Sequence, residues 1–136
     1  MQIGLKVYLV GEVCTPSIRE GDLLLVGSGS GETAGMIAIC KKAKAAGAEV
    51  AVFTKNRNST IASIAKVAVQ LNTAKPIQEG AAGPDGWIEG NYFSIRPSGN
   101  PFEQSIVIVG DAMVCELMQK TNCGTAKIAY NHANLE

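Results

Sequence analysis

An apolar run, Leu23-Leu24-Leu25-Val26, passes through Gly27-Ser28-Gly29-Ser30-Gly31-Glu32-Thr33 straight into a segment of helical periodicity. No other feature constrains the fold as much. Consecutive aliphatic residues fit a strand covered on both faces, and a strand feeding a helix through small residues is the first half of a βα unit. We place this strand over Asp22–Val26 and the helix from about Gly31 to Ala46, with Met36, Ile37, Cys40 and Ala43 near helical spacing and Gly47 as the residue just past its end. The pattern repeats: Glu49–Thr54 reads as a strand, Asn58-Ser59 opens a short helix through Ile61, Ile64 and Ala65, and Val67–Leu71 reads as another strand. Lys6–Val10 reads as a further short strand before the first unit. The alternation predicts an α/β domain with a mainly parallel sheet and right-handed crossovers. At 136 residues the chain is long enough for one such domain and its core.

The loop at the first junction carries the chemistry. Backbone N–H groups at a helix start point outward, the helix dipole favours negative charge, and Ser28, Ser30 and Thr33 add hydroxyls, so the corner is suited to an anion. It contains no lysine, which removes the triphosphate loop Gly-x-x-x-x-Gly-Lys-Ser/Thr, and Gly27-x-Gly29-x-Gly31 lacks the dinucleotide spacing. A small phosphate monoester held by Ser28, Gly29, Ser30, Gly31 and Thr33 fits. An ordinary βα turn, with Ser30 as helix cap and glycines for tightness, is the plainer alternative.

Lys and Arg total 12 and Asp and Glu total 12, giving no net charge, and no basic run marks a nucleic-acid surface. No apolar run reaches the ~20 residues that span a bilayer, and the first residues do not have the layout of a secretory signal. Cys14, Cys40, Cys115 and Cys123 are far apart and His132 is the single histidine, so a structural zinc site is not expected. Cys40 and Cys115 read as small buried hydrophobes in a reducing cytosol.

Residues 72–100 change character, with glycines and prolines interleaved with Trp87, Tyr92 and Phe93. A segment this long without helix or strand is either functional or wraps a partner subunit. Pro101 fits the first position of a helix capped by Asn100, running to Lys120. Phe102, Ile106, Val109, Met113 and Leu117 form one apolar stripe, and Val107, Gly110 and Val114 form another. A helix apolar on most sides needs cover on most sides, which implies a homo-oligomer. Residues 126–136 read as a short helix and tail.

Taken together, these residues resemble the sugar isomerase (SIS) domain family. Ser28-Gly29-Ser30-Gly31-Glu32-Thr33 is similar to that family's phosphate loop. The likeness extends through Val10-Gly11-Glu12, Thr15-Pro16, Gly21-Asp22-Leu23, Arg96-Pro97, Gly99, Phe102-Glu103-Gln104 and the terminal His132-Ala133-Asn134-Leu135-Glu136, a combination that resembles the family's 6-phospho-3-hexuloisomerase branch. The resemblance implies a three-layer α-β-α fold of flavodoxin-like strand order. It also implies that this chain lacks the family's first strand and helices, with a Gly-Ala-Gly-Arg-Ser loop among them, leaving unpaired strand edges. Ser98 and Pro101 stand where the family pattern is usually apolar.

The activity implied by the resemblance interconverts 3-hexulose 6-phosphate and fructose 6-phosphate through an enediolate, in the cytoplasm, with no metal or redox cofactor. Remote phosphate binding would hold the reacting carbons in place. Glu103 is the candidate base. Burial would raise its pKa from about 4.3, whereas a helix N-terminus favours the anion. From local pattern alone it is equally the third-position partner of a capping box closed by Asn100. His132 is the candidate acid–base group for the oxygens, acting in its own or a neighbouring subunit of an oligomer, most simply a tetramer. Glu12 is a secondary candidate, as is Glu32, which reads more simply as a charge favouring the helix start. Lys55 and Arg57 follow a strand at its C-terminal end, where α/β ligands bind, but read as solvated cations. Two readings of another class stay open: a non-catalytic sugar-phosphate-binding module and an inactive shortened relative.

Overall fold

A computed structural model of the chain describes residues 2–73 and 101–132. They form two compact units: Ile18–Val107, and a unit joining Met1–Ser17 to Ile108–Glu136.

The first of these is built on three parallel strands, β1 (Leu23–Gly27), β2 (Glu49–Thr54) and β3 (Val67–Gln70), in the order β1-β2-β3. Leu24 pairs with Val50 and Val26 with Val52. One sheet face, carrying Leu24, Val26, Val50 and Val52, is buried with Cys40 and Ala43 of helix α1 (Ala34–Ala45) and Ile61 of helix α2 (Thr60–Ile64). Val50, Val52 and Ile61 are fully enclosed, and each such side chain contributes on the order of 2 kcal/mol. On the other face Leu23, Leu25, Val67 and Val69 remain exposed in the isolated chain. There an added side chain at Gly27 would come within 3.0 Å of Ile106, so the start of helix α3 (Pro101–Lys120) stands over the end of β1.

The expected βαβαβ order is therefore present. β1 lies one residue later than expected and β3 ends one residue earlier, and two larger differences have physical causes. The helix begins at Ala34, not near Gly31, because Gly31 has φ +68, outside the helical basin. Lys6–Val10 forms no strand: the segment has no neighbour to pair with among the described residues, and Leu9 and Val10 are exposed. The end of α1 is as expected. Gly47, at φ +85, donates to Lys44 O at 3.1 Å and Ala48 donates to Ala43 O at 3.1 Å, the paired bonds that close a helix through a glycine.

In the other unit, the remaining turns of α3 end the same way on Asn122, at φ 50, with Cys123 N donating to Met118 O. Helix α4 (Thr125–Tyr130) follows, one residue earlier than expected, and Asn131 Nδ2 donates to Gln2 O at 2.8 Å. Cys115 is exposed, contrary to its reading as a buried hydrophobe, because it lies on a side of α3 that the described residues leave uncovered. Val107, Ile108 and Val114 are exposed for the same reason. Almost all of the Gly/Pro-rich segment, Asn100 and the tail beyond His132 lie outside the described residues.

Candidate functional site

The loop Ser28–Thr33 is held at the C-terminal ends of β1 and β2 by backbone bonds its sequence makes possible. Ser28 N donates to Phe53 O at 2.9 Å, extending the ladder one residue past β1. Gly29 O then accepts from Lys55 N at 3.1 Å and from the Thr54 hydroxyl at 3.3 Å. Gly31 O accepts from Ile61 N at 3.1 Å, tying the loop to α2. Only glycine fits at this last point: a Cβ on Gly31 would lie 2.0 Å from Ser59 Oγ, and its φ is in the left-handed region.

The hydroxyls divide in function. Ser28 is buried and its Oγ accepts the Gly31 N–H at 3.1 Å, so it closes the loop from inside. Ser30 is half-buried and its Oγ accepts the Glu32 N–H at 3.2 Å. Thr33, not Ser30, occupies the N-cap position of α1, and its side chain makes no capping bond. The first N–H groups of α1 thus keep no side-chain cap, and no acidic residue stands in its first turn to offset the dipole. The plain cap reading of this corner does not describe it: hydroxyls are present, yet the helix start is left uncapped.

Glu32 does something other than favour its own helix. Its Oε1 accepts from Thr60 N at 2.6 Å, at the start of α2. Hydrogen bonds from the Thr60 side chain and backbone hold its carboxyl below the ordinary range. Ser59, fully buried, caps α2 by accepting from Ala62 N.

Two further groups stand at the loop. Phe102, in the first turn of α3, is buried, and its ring edge is 3.5 Å from where a Gly29 side chain would begin. Lys55 folds over the same glycine, its Cε 3.1 Å from that point, and its ammonium is 5.8 Å from the centre of the Phe102 ring. It is half-buried rather than solvated, and burial pushes its pKa down while the charge of Glu103 opposes the shift. Sequence reading set this residue aside. The available signal was its position directly after a parallel strand, and what it lacked was the fold of the side chain back over a glycine. Arg57, in contrast, is exposed and donates to Ala68 O at 3.1 Å.

Glu103 lies in the first turn of α3, close enough to Lys55 for their charges to interact, but it is exposed, against the expectation of burial. The capping-box alternative turns on Asn100, which is outside the described residues. The structure thus brings Ser28, Gly29, Ser30, Gly31, Thr33, Lys55 and Glu103 into one unit. His132 and Glu12 belong to the other unit, and both are exposed. Among the described residues no group of three or more His, Cys, Asp or Glu is placed to hold a metal ion, and no helix is long and apolar enough to cross a membrane.

A parallel βαβαβ unit whose first loop is rich in glycine and hydroxyls, with an uncapped helix behind it, defines an α/β domain with a corner suited to an anion. The chain belongs to the SIS domain family, which matches residues 8–84. It is 35% identical over 136 residues to the 3-hexulose-6-phosphate isomerase of Bacillus subtilis, covering all of this chain and 69% of that protein. It is 36% identical to the Mycobacterium gastri protein of the same name, covering 63% of it. A Methanococcus jannaschii crystal structure, from which a function of 3-hexulose-6-phosphate isomerase was inferred, superposes with a TM-score of 0.78 at 27% identity, over 99% of this chain and 66% of that one. The chain spans about two thirds of the length of these relatives.

Proposed function

We propose that this chain serves as a sugar-phosphate isomerase that interconverts 3-hexulose 6-phosphate and fructose 6-phosphate. The observation that carries the reading is the uncapped start of α1 behind the Ser28–Thr33 loop, in a chain whose relatives are named for that reaction. The phosphate rests on the loop, with Ser28 and Gly31 keeping its shape and Gly29, Ser30 and Thr33 facing the anion. Glu103 takes the proton from C2 of the 3-ketose, the electron pair moves into an enediolate over C2 and C3, and the same proton returns to C3. His132, of its own or a neighbouring subunit, moves the hydroxyl proton from O2 to O3. The chemistry calls for no metal or redox cofactor, and the apolar sides of α3 are covered by neighbouring subunits of a cytoplasmic oligomer.

The test is turnover of 3-hexulose 6-phosphate coupled to a dehydrogenase that consumes fructose 6-phosphate downstream. The reading expects activity in the unmutated chain. It also expects Glu103→Gln to lose about 100-fold or more of kcat, the scale of general base catalysis, with phosphate binding intact. Phosphate binding without turnover in the unmutated chain would assign the domain to sensing instead.

A further inference from the structure

We propose that Lys55 is a phosphate-binding residue of this site, supplying the cation that the Ser28–Thr33 loop itself lacks. The inference rests on the isomerase reading for the identity of its ligand and on geometry for the residue.

Within Ser28–Thr33 the ionisable side chain is Glu32, an acid, and it is turned toward Thr60 at the start of α2. A phosphate monoester near neutral pH carries close to two negative charges, whereas a helix start offers about half a positive charge. Hydroxyls and amides alone leave most of that charge unmatched. Lys55 stands against the loop at Gly29. Its backbone N–H is fixed on Gly29 O at 3.1 Å, and its side chain returns over the same residue, leaving Nζ 3.7 Å from the position of a Gly29 Cβ. Glycine at position 29 is what admits the lysine stem so close to the loop.

Three other cations of this unit make contacts elsewhere. Lys44 donates to Ile64 O, Arg57 to Ala68 O, and Lys66 pairs with Glu49. Lys55 lies half-buried against Gly29 and the Phe102 ring, within reach of the charge of Glu103. An ammonium at this position can give an arriving phosphate a charge-assisted hydrogen bond. The rival role is structural or electrostatic: a counter-ion for Glu103 that never meets substrate.

The two roles separate in kinetics. Lys55→Met keeps the stem over Gly29 and removes the charge; Lys55→Arg keeps the charge. The measurements are kcat and KM in the coupled assay, the inhibition constant of inorganic phosphate, and Tm with and without phosphate. We expect Lys55→Met to raise KM and the phosphate inhibition constant about tenfold, the scale of one charge-assisted contact, with kcat within about twofold and an unchanged ligand-free Tm. Lys55→Arg should recover most of the affinity. A Lys55→Met chain with unmutated KM and phosphate affinity overturns the assignment, and so does a loss confined to kcat, which would tie Lys55 to Glu103. If the unmutated chain binds phosphate in a Lys55-dependent way but turns nothing over, the isomerase reading fails and the assignment stands. If it does neither, both fall.

Discussion

Replacing Gly31 with alanine tests whether the loop is held in the conformation described. Two costs add. A non-glycine residue in the left-handed region costs about 1–2 kcal/mol. The new methyl would also lie 2.0 Å from Ser59 Oγ and 2.5 Å from Ser59 Cβ, so Ser59 must leave its place. Ser59 is buried and caps α2, and losing such a cap costs roughly a further 1 kcal/mol. The sum, about 2–3 kcal/mol, corresponds to a fall in Tm on the order of 10 °C for a chain of this size. Gly35→Ala is the control: nothing lies within 4 Å of its added methyl, and alanine is the better helix former, so Tm should hold or rise. Thermal unfolding followed by circular dichroism reads both. A Gly31→Ala chain melting within about 2 °C of the unmutated one would refute the conformation assigned to the loop and its lock onto Ser59.

Three other outcomes follow from the same structure. Ser59→Ala, which removes the cap without adding bulk, should cost about 1 kcal/mol and lower Tm by a few degrees. Glu32 has its carboxyl held below the ordinary range by Thr60, so its contribution to stability is present above the unfolded carboxylate pKa and is lost as pH falls through the folded one. The Tm difference between the unmutated chain and Glu32→Gln should therefore be largest near neutral pH and vanish in acid; a difference independent of pH would contradict the bond to Thr60. A thiol reagent should label Cys14 promptly in the native chain and reach Cys40 and Cys123 only on unfolding, since the first is exposed and the other two are buried. Burial also pushes the Cys40 thiol up, which slows it further.

Much of this was legible in the residues. The apolar runs of β1 and β2, the short helix after Ser59 and the end of α1 at Gly47 follow from local pattern, because each is decided within a few residues. Lys6–Val10 was not legible as coil. Its β-branched and aromatic residues suit a strand, but a strand exists only with a neighbour, and pairing is not a local property. The site divides along the same line. The glycines and hydroxyls of residues 28–33 announce an anion corner in any order of inspection. Which hydroxyl faces inward depends on Gly31 turning back toward Ser28, and the partner of Glu32 is an amide on another helix, 28 positions away. Lys55 was passed over because a cation after a strand is usually solvated. Its placement depends on a glycine distant in sequence giving the stem room. The described residues leave Cys115 and Val114 on α3 exposed, and under the function proposed above neighbouring subunits cover them.

The account stands on the Ser28–Thr33 corner as the seat of a phosphoryl group, and a titration of the isotopically labelled chain with fructose 6-phosphate, followed by amide NMR, reads that corner directly. The predicted result is saturable shifts concentrated at Gly29 to Ala34 and Lys55, reproduced in part by inorganic phosphate and absent with fructose. Saturable binding that leaves those amides unmoved, or fructose producing the same shifts as its phosphate, would contradict it.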